Sequence, residues 1–328
     1  MTFDIKAPDF DLEKTLNSGQ VFHWEKIDNG FVGTIGEVPV FVEQRGGELK
    51  VCRGETPRPA GGTPTLPEMV AHYFALDHSL PDICVALPKD PAMQAARKFC
   101  RGLRIIRQPK WECLATFICS SMKQVAHIRQ ISRALRERFG EECTISGVVR
   151  RLDGVSPHRS INYSVFTFPS AERIARSSEA QLRGCRLGYR AKNLLATARL
   201  VTRGDVDLES MSRLADVDLR AALGELPGVG AKVANCVMLF AYERLRAFPI
   251  DVWIERVLRE QYFRRKRNVT PQRLSEFTES YFGEHGGYAQ QYLFHYARMF
   301  GGRRAVGARK QDATARVPPA CGLSLRGL

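Results

Sequence analysis

Hydrophobic positions along this chain of 328 residues follow two different spacings. In residues 1–95, short runs rich in β-branched and aromatic side chains predict β-strands at 31–35, 38–42 and 49–52. The segments 28–30 and 45–47 are typical of hairpin turns, because they are rich in Gly, Asn and Asp. Pro39 predicts an edge strand or a bulge, since proline cannot donate a hydrogen bond to a neighbouring strand. A loop at 58–67 and a short helix at 67–76 complete this part.

From about residue 90 the apolar positions recur every three or four residues, which is typical of amphipathic helices. This spacing predicts helices at 91–103, 111–121, 125–139, 191–203 and 271–282. We therefore expect an α+β fold, with a small N-terminal antiparallel β-domain at 1–95 and a mostly α-helical body at 96–300. Residues 301–328 show no periodicity and are expected to form a disordered basic tail.

The net charge of +14 is distributed unevenly between these parts. Residues 1–95 hold 8 basic and 14 acidic residues, whereas residues 96–300 hold 35 basic and 20 acidic ones. The tail adds 6 basic residues and 1 acidic residue. A strongly basic body indicates a polyanionic partner, of which nucleic acid is the first candidate, although a merely solubilising surface is the alternative.

Several classes of protein are disfavoured by the composition. No apolar run reaches the roughly 18 residues of a membrane span, and the first residues do not resemble a secretory signal. The nine cysteines are odd in number and have no CxxC spacing. We therefore expect reduced thiols in a protein that is not secreted.

The segment 219–257 carries the clearest chemical signal. Leu226-Pro227-Gly228-Val229-Gly230 lies between two predicted helices, the second of which begins at Ala231. Glycines at a helix start let backbone N–H groups and the positive end of the helix dipole approach a phosphate. This pattern is typical of a helix-hairpin-helix motif that binds DNA through Gly228, Val229 and Gly230 without reading its sequence. A plain helical hairpin is the alternative.

Two residues near this hairpin are candidates for catalysis. Lys232 lies in the first turn of the second helix, where the positive helix end favours a neutral, nucleophilic amine. Asp251 stands at the start of the next helix, where its carboxylate could face the same site. The alternatives are a phosphate contact for Lys232 and a helix N-cap for Asp251.

The chain resembles the helix-hairpin-helix base-excision DNA glycosylases, and within them the 8-oxoguanine DNA glycosylases. The similarity extends from about residue 10 to residue 300 in the same order. It rests on the hairpin with Lys232 and Asp251, and on four further segments at 16–24, 111–121, 187–191 and 287–294.

The resemblance implies a bifunctional glycosylase/AP lyase that flips the damaged guanine into a pocket. Lys232 would attack C1′ and form a Schiff base, and Asp251 would stabilise positive charge on the sugar. Base-pocket roles are implied for Gly19, which would accept the N7–H of 8-oxoguanine, and for Cys236, Gln290 and Phe294. DNA-contacting roles are implied for Met122, Lys123, His127, Tyr189 and Arg190, with Arg190 addressing the cytosine opposite the lesion.

This sequence departs from the family pattern at several positions. Met122 stands in a segment that is commonly rich in asparagine, so an apolar side chain would fill the gap left by the flipped base. His127 replaces a common arginine, Trp253 a common histidine and Ala297 a common aspartate. These changes bear on opposite-base preference, phosphate binding and base release rather than on the chemistry.

The expected partner is duplex DNA containing oxidised guanine. The protein is expected to act as a monomer and not to bind a membrane. No cofactor or catalytic metal is implied, although the hairpin carbonyls could hold a monovalent cation. An iron–sulfur cluster is excluded, because only Cys321 follows Asp251. The expected location is the bacterial cytoplasm and nucleoid, or the nucleus in a eukaryote. Two alternatives stay open: a glycosylase for another damaged base, such as an alkylated purine, and a non-catalytic DNA-binding module.

Overall fold

The computed structural model describes residues 2–56, 64–150, 159–264 and 268–300. The predicted basic tail and most of the predicted loop at 58–67 lie outside the described residues. No helix in the described part of the chain is long and apolar enough to cross a membrane.

The N-terminal part is built on one antiparallel five-stranded sheet with the order β1-β5-β4-β3-β2. Its strands are β1 Thr2–Lys6, β2 Glu25–Ile27, β3 Gly30–Ile35, β4 Val38–Arg45 and β5 Glu48–Arg53. All three predicted strands and both predicted turns are confirmed. The pattern missed the two edge strands, since β1 buries none of its side chains fully and β2 has only three residues.

The prediction that Pro39 marks an edge strand or a bulge is wrong. Pro39 is the second residue of β4, which is the central strand, and its pairing with β3 is regular. Pairing between β4 and β5 begins only at Val40. The missing N–H of Pro39 therefore lies at the start of the strand, beyond the β4–β5 ladder.

Thirteen helices in the described residues follow a short helix α1 Leu12–Asn17 that connects β1 to β2. They are α2 Leu66–Tyr73, α3 Leu80–Ala86, α4 Pro91–Phe99, α5 Lys110–Ser120, α6 Val125–Phe139, α7 Ala171–Ala175, α8 Glu179–Leu182, α9 Arg190–Arg203, α10 Asp216–Gly224, α11 Ala231–Ala241, α12 Val252–Gln261, α13 Pro271–Phe282 and α14 Gly286–Phe300. The predicted helices at 125–139 and 271–282 match α6 and α13 at both ends. The fold is thus the expected α+β arrangement of an antiparallel sheet followed by a helical body.

The helix predicted to run to residue 103 ends earlier, at Phe99. Gly102 has a φ of +84°, and residues 103–109 continue as a segment without regular structure that leads into α5. A left-handed glycine of this kind is a common device for ending a helix. The apolar side chains of Leu103 and Ile105 are buried, which made the helical pattern look longer than the helix.

A hairpin within the helical body was not predicted. It consists of β6 Glu142–Arg150 and β7 Arg159–Phe166, paired antiparallel with an irregularity between Ile145 and Val148. Ile145 packs with Val32 and Phe41 of the N-terminal sheet, and a bridge joins Thr144 to Glu55. The body therefore sends a two-stranded extension onto the sheet domain.

A buried polar cluster joins the sheet domain to the body. Arg136 of α6 forms an ion pair with Glu112 of α5, and it donates to Thr34 Oγ1 of β3 at 2.9 Å and to the Phe166 carbonyl of β7 at 2.9 Å. His23 lies 3.4 Å from the same carboxylate. Burial, together with Arg136, holds the pKa of His23 well below its usual range, so the ring is neutral at pH 7. One arginine thereby links four elements from both parts of the fold.

We expect Arg136→Met to lower the free energy of unfolding by about 3–5 kcal/mol, because it leaves the Glu112 carboxylate buried without its cation. The double variant with Glu112→Met should recover much of this loss, since both charges are then removed. Urea denaturation measures both effects. The matched control is Arg133→Met on the same helix, whose side chain is 68% exposed and should cost less than about 1 kcal/mol. Equal effects at 133 and 136 would contradict the proposed link.

Candidate active site and nucleic-acid interface

The turn between α10 and α11 has the geometry that its two glycines predict. Gly228 has a φ of +84°, and a Cβ at this position would lie 2.8 Å from the Cβ of Asn193 in α9. The Val229 amide donates to the Leu226 carbonyl at 3.0 Å, and its side chain is buried. Val229 therefore shapes the turn, and its amide is already engaged within it.

The N-terminus of α11 is left open. Gly230 is the N-cap and has no side chain to satisfy the first backbone amides of the helix. A Cβ at Gly230 would meet no atom within 4 Å, so the space above it is free. This helix end can accept a phosphate through its amides and its dipole.

Lys232 lies in the first turn of α11 and is half-buried. Its Nζ lies 3.3 Å from Ser120 Oγ, at the end of α5, and 5.0 Å from the centre of the Phe117 ring. One turn further along α11, the thiol of Cys236 is buried, and burial raises its pKa to about 11. The nearby Lys232 opposes that shift, which places the amine and the thiol in one electrostatic environment.

Asp251 has the N-cap role that its sequence position left open, and its catalytic role stays a prediction. Its Oδ1 accepts hydrogen bonds from the amides of Trp253 at 3.1 Å and Ile254 at 2.9 Å, so it caps α12. Burial raises the pKa of this carboxyl group, while the two amides and Lys232 act against the rise. The cap uses only Oδ1, and it fixes the carboxylate where Lys232 influences it.

Gly19 belongs to a turn that is fixed by the buried side chain of Gln20. The Gln20 amide nitrogen donates to the carbonyls of Arg104 at 2.8 Å and Thr15 at 3.2 Å, and the amide oxygen accepts from the Ile106 amide at 2.8 Å. The Gln20 carbonyl accepts a further bond from Gln108 Nε2 at 2.8 Å. Within the described residues, the Gly19 carbonyl has no hydrogen-bond donor. The turn thus presents an available acceptor at a fixed position.

The last helix, α14, packs against this turn. Gln291 Nε2 and Arg298 Nη1 both donate to the Ser18 carbonyl, at 3.2 Å and 3.1 Å. Gly19 has a φ of +90°, and a Cβ there would lie 3.1 Å from Phe294 and overlap the guanidinium of Arg298. The left-handed φ favours glycine here, and a larger residue would displace the Arg298 guanidinium from the turn.

Gln290, Phe294 and Arg298 are spaced four residues apart and so form one stripe along α14. Gln290 is buried, and its Oε1 has no hydrogen-bond partner in the described residues. The Arg298 guanidinium lies 5.3 Å from the centre of the half-buried Phe294 ring. Sequence reasoning found the first two and missed Arg298, although the four-residue spacing could have identified it.

The predicted DNA-contacting residues divide into exposed and buried ones. Met122 is 93% exposed with a φ of +53°, and Lys123, His127 and Tyr189 are exposed as well. Arg190 is buried instead, and its Nε donates to the Ser121 carbonyl at 2.8 Å. In this arrangement the Arg190 side chain stabilises the turn at Ser121 and Met122 by a hydrogen bond. A direct contact between this buried guanidinium and DNA would require the side chain to move.

Three helices begin around this same turn without a side-chain cap. They are α6, α9 and α11, whose N-caps are Gln124, Tyr189 and Gly230. The turn at the end of α5 lies beside two of them, through the Arg190–Ser121 and Lys232–Ser120 contacts, and leads directly into α6. Positive helix ends with unsatisfied amides are therefore concentrated around Met122 and Lys232.

The site residues thus form a connected set. Lys232 opposes the rise in the pKa of both Cys236 and Asp251, and Asp251 opposes the fall in the pKa of Arg298. Arg298 in turn donates to the Ser18 carbonyl beside Gly19. Among the departures from the family pattern, Ala297 is buried, and the Trp253 ring faces Arg256 at 5.6 Å.

The described residues contain no group of His, Cys, Asp and Glu side chains suited to a metal ion, and their eight cysteines are free. At the hairpin, the Pro227 carbonyl accepts from Thr197 Oγ1 at 3.1 Å, and the Leu226 carbonyl accepts from the Val229 amide. A carbonyl oxygen has two lone pairs, so these contacts are compatible with a monovalent cation, which stays a prediction.

Comparison with known proteins identifies two family models that cover most of the chain. Residues 2–114 match the N-terminal domain of 8-oxoguanine DNA glycosylase, and residues 115–282 match the HhH-GPD superfamily of base excision DNA repair proteins. The two matches meet within α5, between residues 114 and 115. This boundary separates the Gly19 turn from the lysine and aspartate.

Individual relatives are similar over nearly their whole length. The "Probable N-glycosylase/DNA lyase" of Methanothermobacter thermautotrophicus is 30% identical, covering 90% of this chain and 96% of the relative. The structure of MBOgg1 with a low-affinity DNA ligand is 30% identical with a TM-score of 0.77, covering 91% and 96%. The Clostridium acetobutylicum 8-oxoguanine glycosylase/lyase, solved with DNA containing cytosine opposite 8-oxoG, is 26% identical with a TM-score of 0.76, covering 92% and 98%.

The two hairpin glycines should respond differently to the same substitution. Gly228→Ala combines a left-handed φ with a clash against Asn193, and we expect it to cost about 1–3 kcal/mol of stability. Gly230→Ala changes an extended N-cap in open space and should cost less than about 1 kcal/mol. Thermal and urea unfolding of both variants test this. A similar loss of stability in the two variants would show that the turn geometry is not as described.

Proposed function

The chain belongs to the HhH-GPD superfamily of base excision DNA repair proteins, as a DNA glycosylase with AP lyase activity of the 8-oxoguanine type, and we propose that Lys232 is its nucleophile. The observation that carries this proposal is the position of Lys232 Nζ. It lies in the first turn of a helix whose N-terminus is open, 3.3 Å from Ser120 Oγ.

In the proposed reaction the neutral amine of Lys232 attacks C1′ of the damaged nucleotide. The new C–N bond forms as the C1′–N9 bond breaks, and its electron pair leaves with the base. Opening of the sugar ring gives a Schiff base, and β-elimination then removes a C2′ proton and breaks the C3′–O bond. The strand is cut 3′ to the lesion.

Asp251 is proposed to stabilise the positive charge that develops on the sugar. A fixed carboxylate acts in this way without reorganising, because its position is set before the reaction begins. The two amides that bond Oδ1 supply that fixation at 3.1 and 2.9 Å. They also favour the charged form of this carboxyl group and so oppose burial, which raises its pKa.

The flipped base is proposed to bind between Cys236 and Phe294, with Gln290 reading its Watson–Crick edge. Gly19 would accept the N7–H that 8-oxoguanine has and guanine lacks, which is supported by its available carbonyl in a fixed turn. For guanine, two acceptors would face each other in a buried pocket. Such a mismatch costs roughly 1–3 kcal/mol.

The affinity for DNA is proposed to come mainly from contacts between the DNA backbone and the end of the helical body where α6, α9 and α11 begin. Amides at the starts of α6, α9 and α11 suit phosphates, while Met122 suits the gap left by the flipped base. Lys123, His127, Tyr189 and Arg190 surround that position. The proposed partner is duplex DNA containing oxidised guanine, bound by a monomer wherever the cell keeps its DNA.

A borohydride trapping assay on 8-oxoguanine duplex tests the nucleophile. The protein should form a covalent adduct, and Lys232→Ala should form none, because the variant lacks the proposed nucleophile. Asp251→Asn should slow excision by about 10²–10³-fold while the fold is retained, since asparagine also caps helices.

The exposed Lys98→Ala serves as the charge-matched control and should trap normally. Duplexes with each of the four opposite bases, and one with an alkylated purine, complete the set. An adduct with Lys232→Ala would disprove the mechanism. Activity on the alkylated purine alone would replace the proposed substrate, and no reaction on any duplex would favour a DNA-binding module.

Met122→Gly should change stability and activity in opposite directions. Glycine relieves the left-handed backbone at this position and should stabilise the fold by up to about 1 kcal/mol. It also removes the apolar wedge, so excision from duplex DNA should fall by roughly tenfold. Unfolding and single-turnover kinetics measure the two effects. The control is Val85→Ala, another exposed apolar side chain, and loss of stability with normal excision at Met122→Gly would refute the wedge.

A further inference from the structure

Arg298 is the one residue of the Gln290–Phe294–Arg298 stripe for which neither the family pattern nor the comparisons provide a role. Its guanidinium contacts two parts of the proposed base pocket. It donates to the Ser18 carbonyl beside Gly19, and it lies 5.3 Å from the centre of the Phe294 ring. We propose that Arg298 contacts the flipped base and stabilises the negative charge that the base carries away.

The close contact between Arg298 and Gly19 places the guanidinium beside the proposed position of the flipped base. A Cβ on Gly19 would overlap Arg298 Nη1, so the guanidinium lies directly against the backbone of the turn. A base that approaches both the Gly19 carbonyl and the Phe294 ring therefore also comes within reach of Arg298. The guanidinium has five N–H donors, of which the described contacts use one, on the Ser18 carbonyl.

The charge of Arg298 is incompletely balanced within the described residues. It forms no ion pair with any carboxylate in the described residues. Burial and the neighbouring Arg129 both disfavour its charged form, and Asp251 is the group that favours it. A half-buried cation held in this way is costly unless an anion joins it, and the departing base is such an anion.

The charge requirement follows from the bonds that break. When the C1′–N9 pair leaves with the base, negative charge spreads over the ring nitrogens and exocyclic oxygens of 8-oxoguanine. Arg298 keeps its protons and lowers the energy of this anion through hydrogen bonds. The proton that neutralises the base comes from the ammonium formed on Lys232. No further reactant is needed.

The inference rests on the proposed function, but it can be tested separately. A base departs during excision, whereas none is present when the protein cleaves DNA at an existing abasic site. Arg298→Met should slow single-turnover excision of 8-oxoguanine by about 10²-fold, the usual effect of removing one donor to a developing anion. Cleavage of a DNA that already carries an abasic site should be unchanged, since no base departs. Arg298→Lys should recover part of the excision rate, because it keeps the charge but loses the planar fork.

Arg273→Met controls for the loss of one positive charge from the body, as this side chain is 61% exposed on α13. It should excise normally. Unchanged or faster excision by Arg298→Met would overturn the proposal, and so would equal losses of excision and abasic-site cleavage, which would indicate a structural role. If Arg298→Met does not fold, Arg298→Lys decides alone: slower excision with normal abasic-site cleavage supports the proposal, and any other result refutes it. Failure of the protein itself to trap on 8-oxoguanine duplex would instead disprove the proposed function.

Discussion

The side chain of Gln20 is the constraint on which the rest of the site depends. The side-chain amide of Gln20 forms hydrogen bonds with the backbone of Thr15, Arg104 and Ile106, and its backbone carbonyl accepts one from Gln108 Nε2. The turn is therefore tied to the segment that leads into α5. All of these groups are buried, where each unmade hydrogen bond would cost about 1–3 kcal/mol. Gly19 is therefore held against a body whose proposed catalytic residues, Lys232 and Asp251, lie more than two hundred positions later in the chain.

Two further contacts hold α14 to the same turn, since Gln291 and Arg298 both donate to the Ser18 carbonyl. A separate cluster around the Arg136–Glu112 ion pair joins the sheet to α5 and α6. The proposed recognition of the base by Gly19 requires its carbonyl to be positioned with a precision of about 0.5 Å. Buried polar contacts between the two parts of the fold supply directional restraints of this kind.

Much of this architecture can be predicted from the sequence because the signals are local. Apolar spacing located α6 and α13 at both ends, and the glycines at 228 and 230 identified the open start of α11. The β6–β7 hairpin was missed, since its stability comes partly from Ile145 packing on Val32 and Phe41, more than a hundred residues away. The buried state of Arg190 was missed for the same reason, because its hydrogen-bond partner Ser121 is distant in sequence. The spacing places Arg298 on the stripe with Gln290 and Phe294, but its contact with Ser18 depends on the tertiary fold.

The uneven charge of the chain now has a structural explanation. The acidic first part contributes a neutral acceptor, the Gly19 carbonyl, and its negative charge does not weaken that contact because carbonyl recognition is short in range. The basic body contributes the open helix ends and the exposed Lys123, whose attraction to phosphates is long in range and does not depend on the lesion. The proposed base pocket therefore draws on both parts of the fold, since Gly19 belongs to the acidic part while Cys236, Gln290 and Phe294 belong to the basic body. Arg298 connects the two parts directly, because this cation of the basic body donates to the Ser18 carbonyl in the turn of the acidic part.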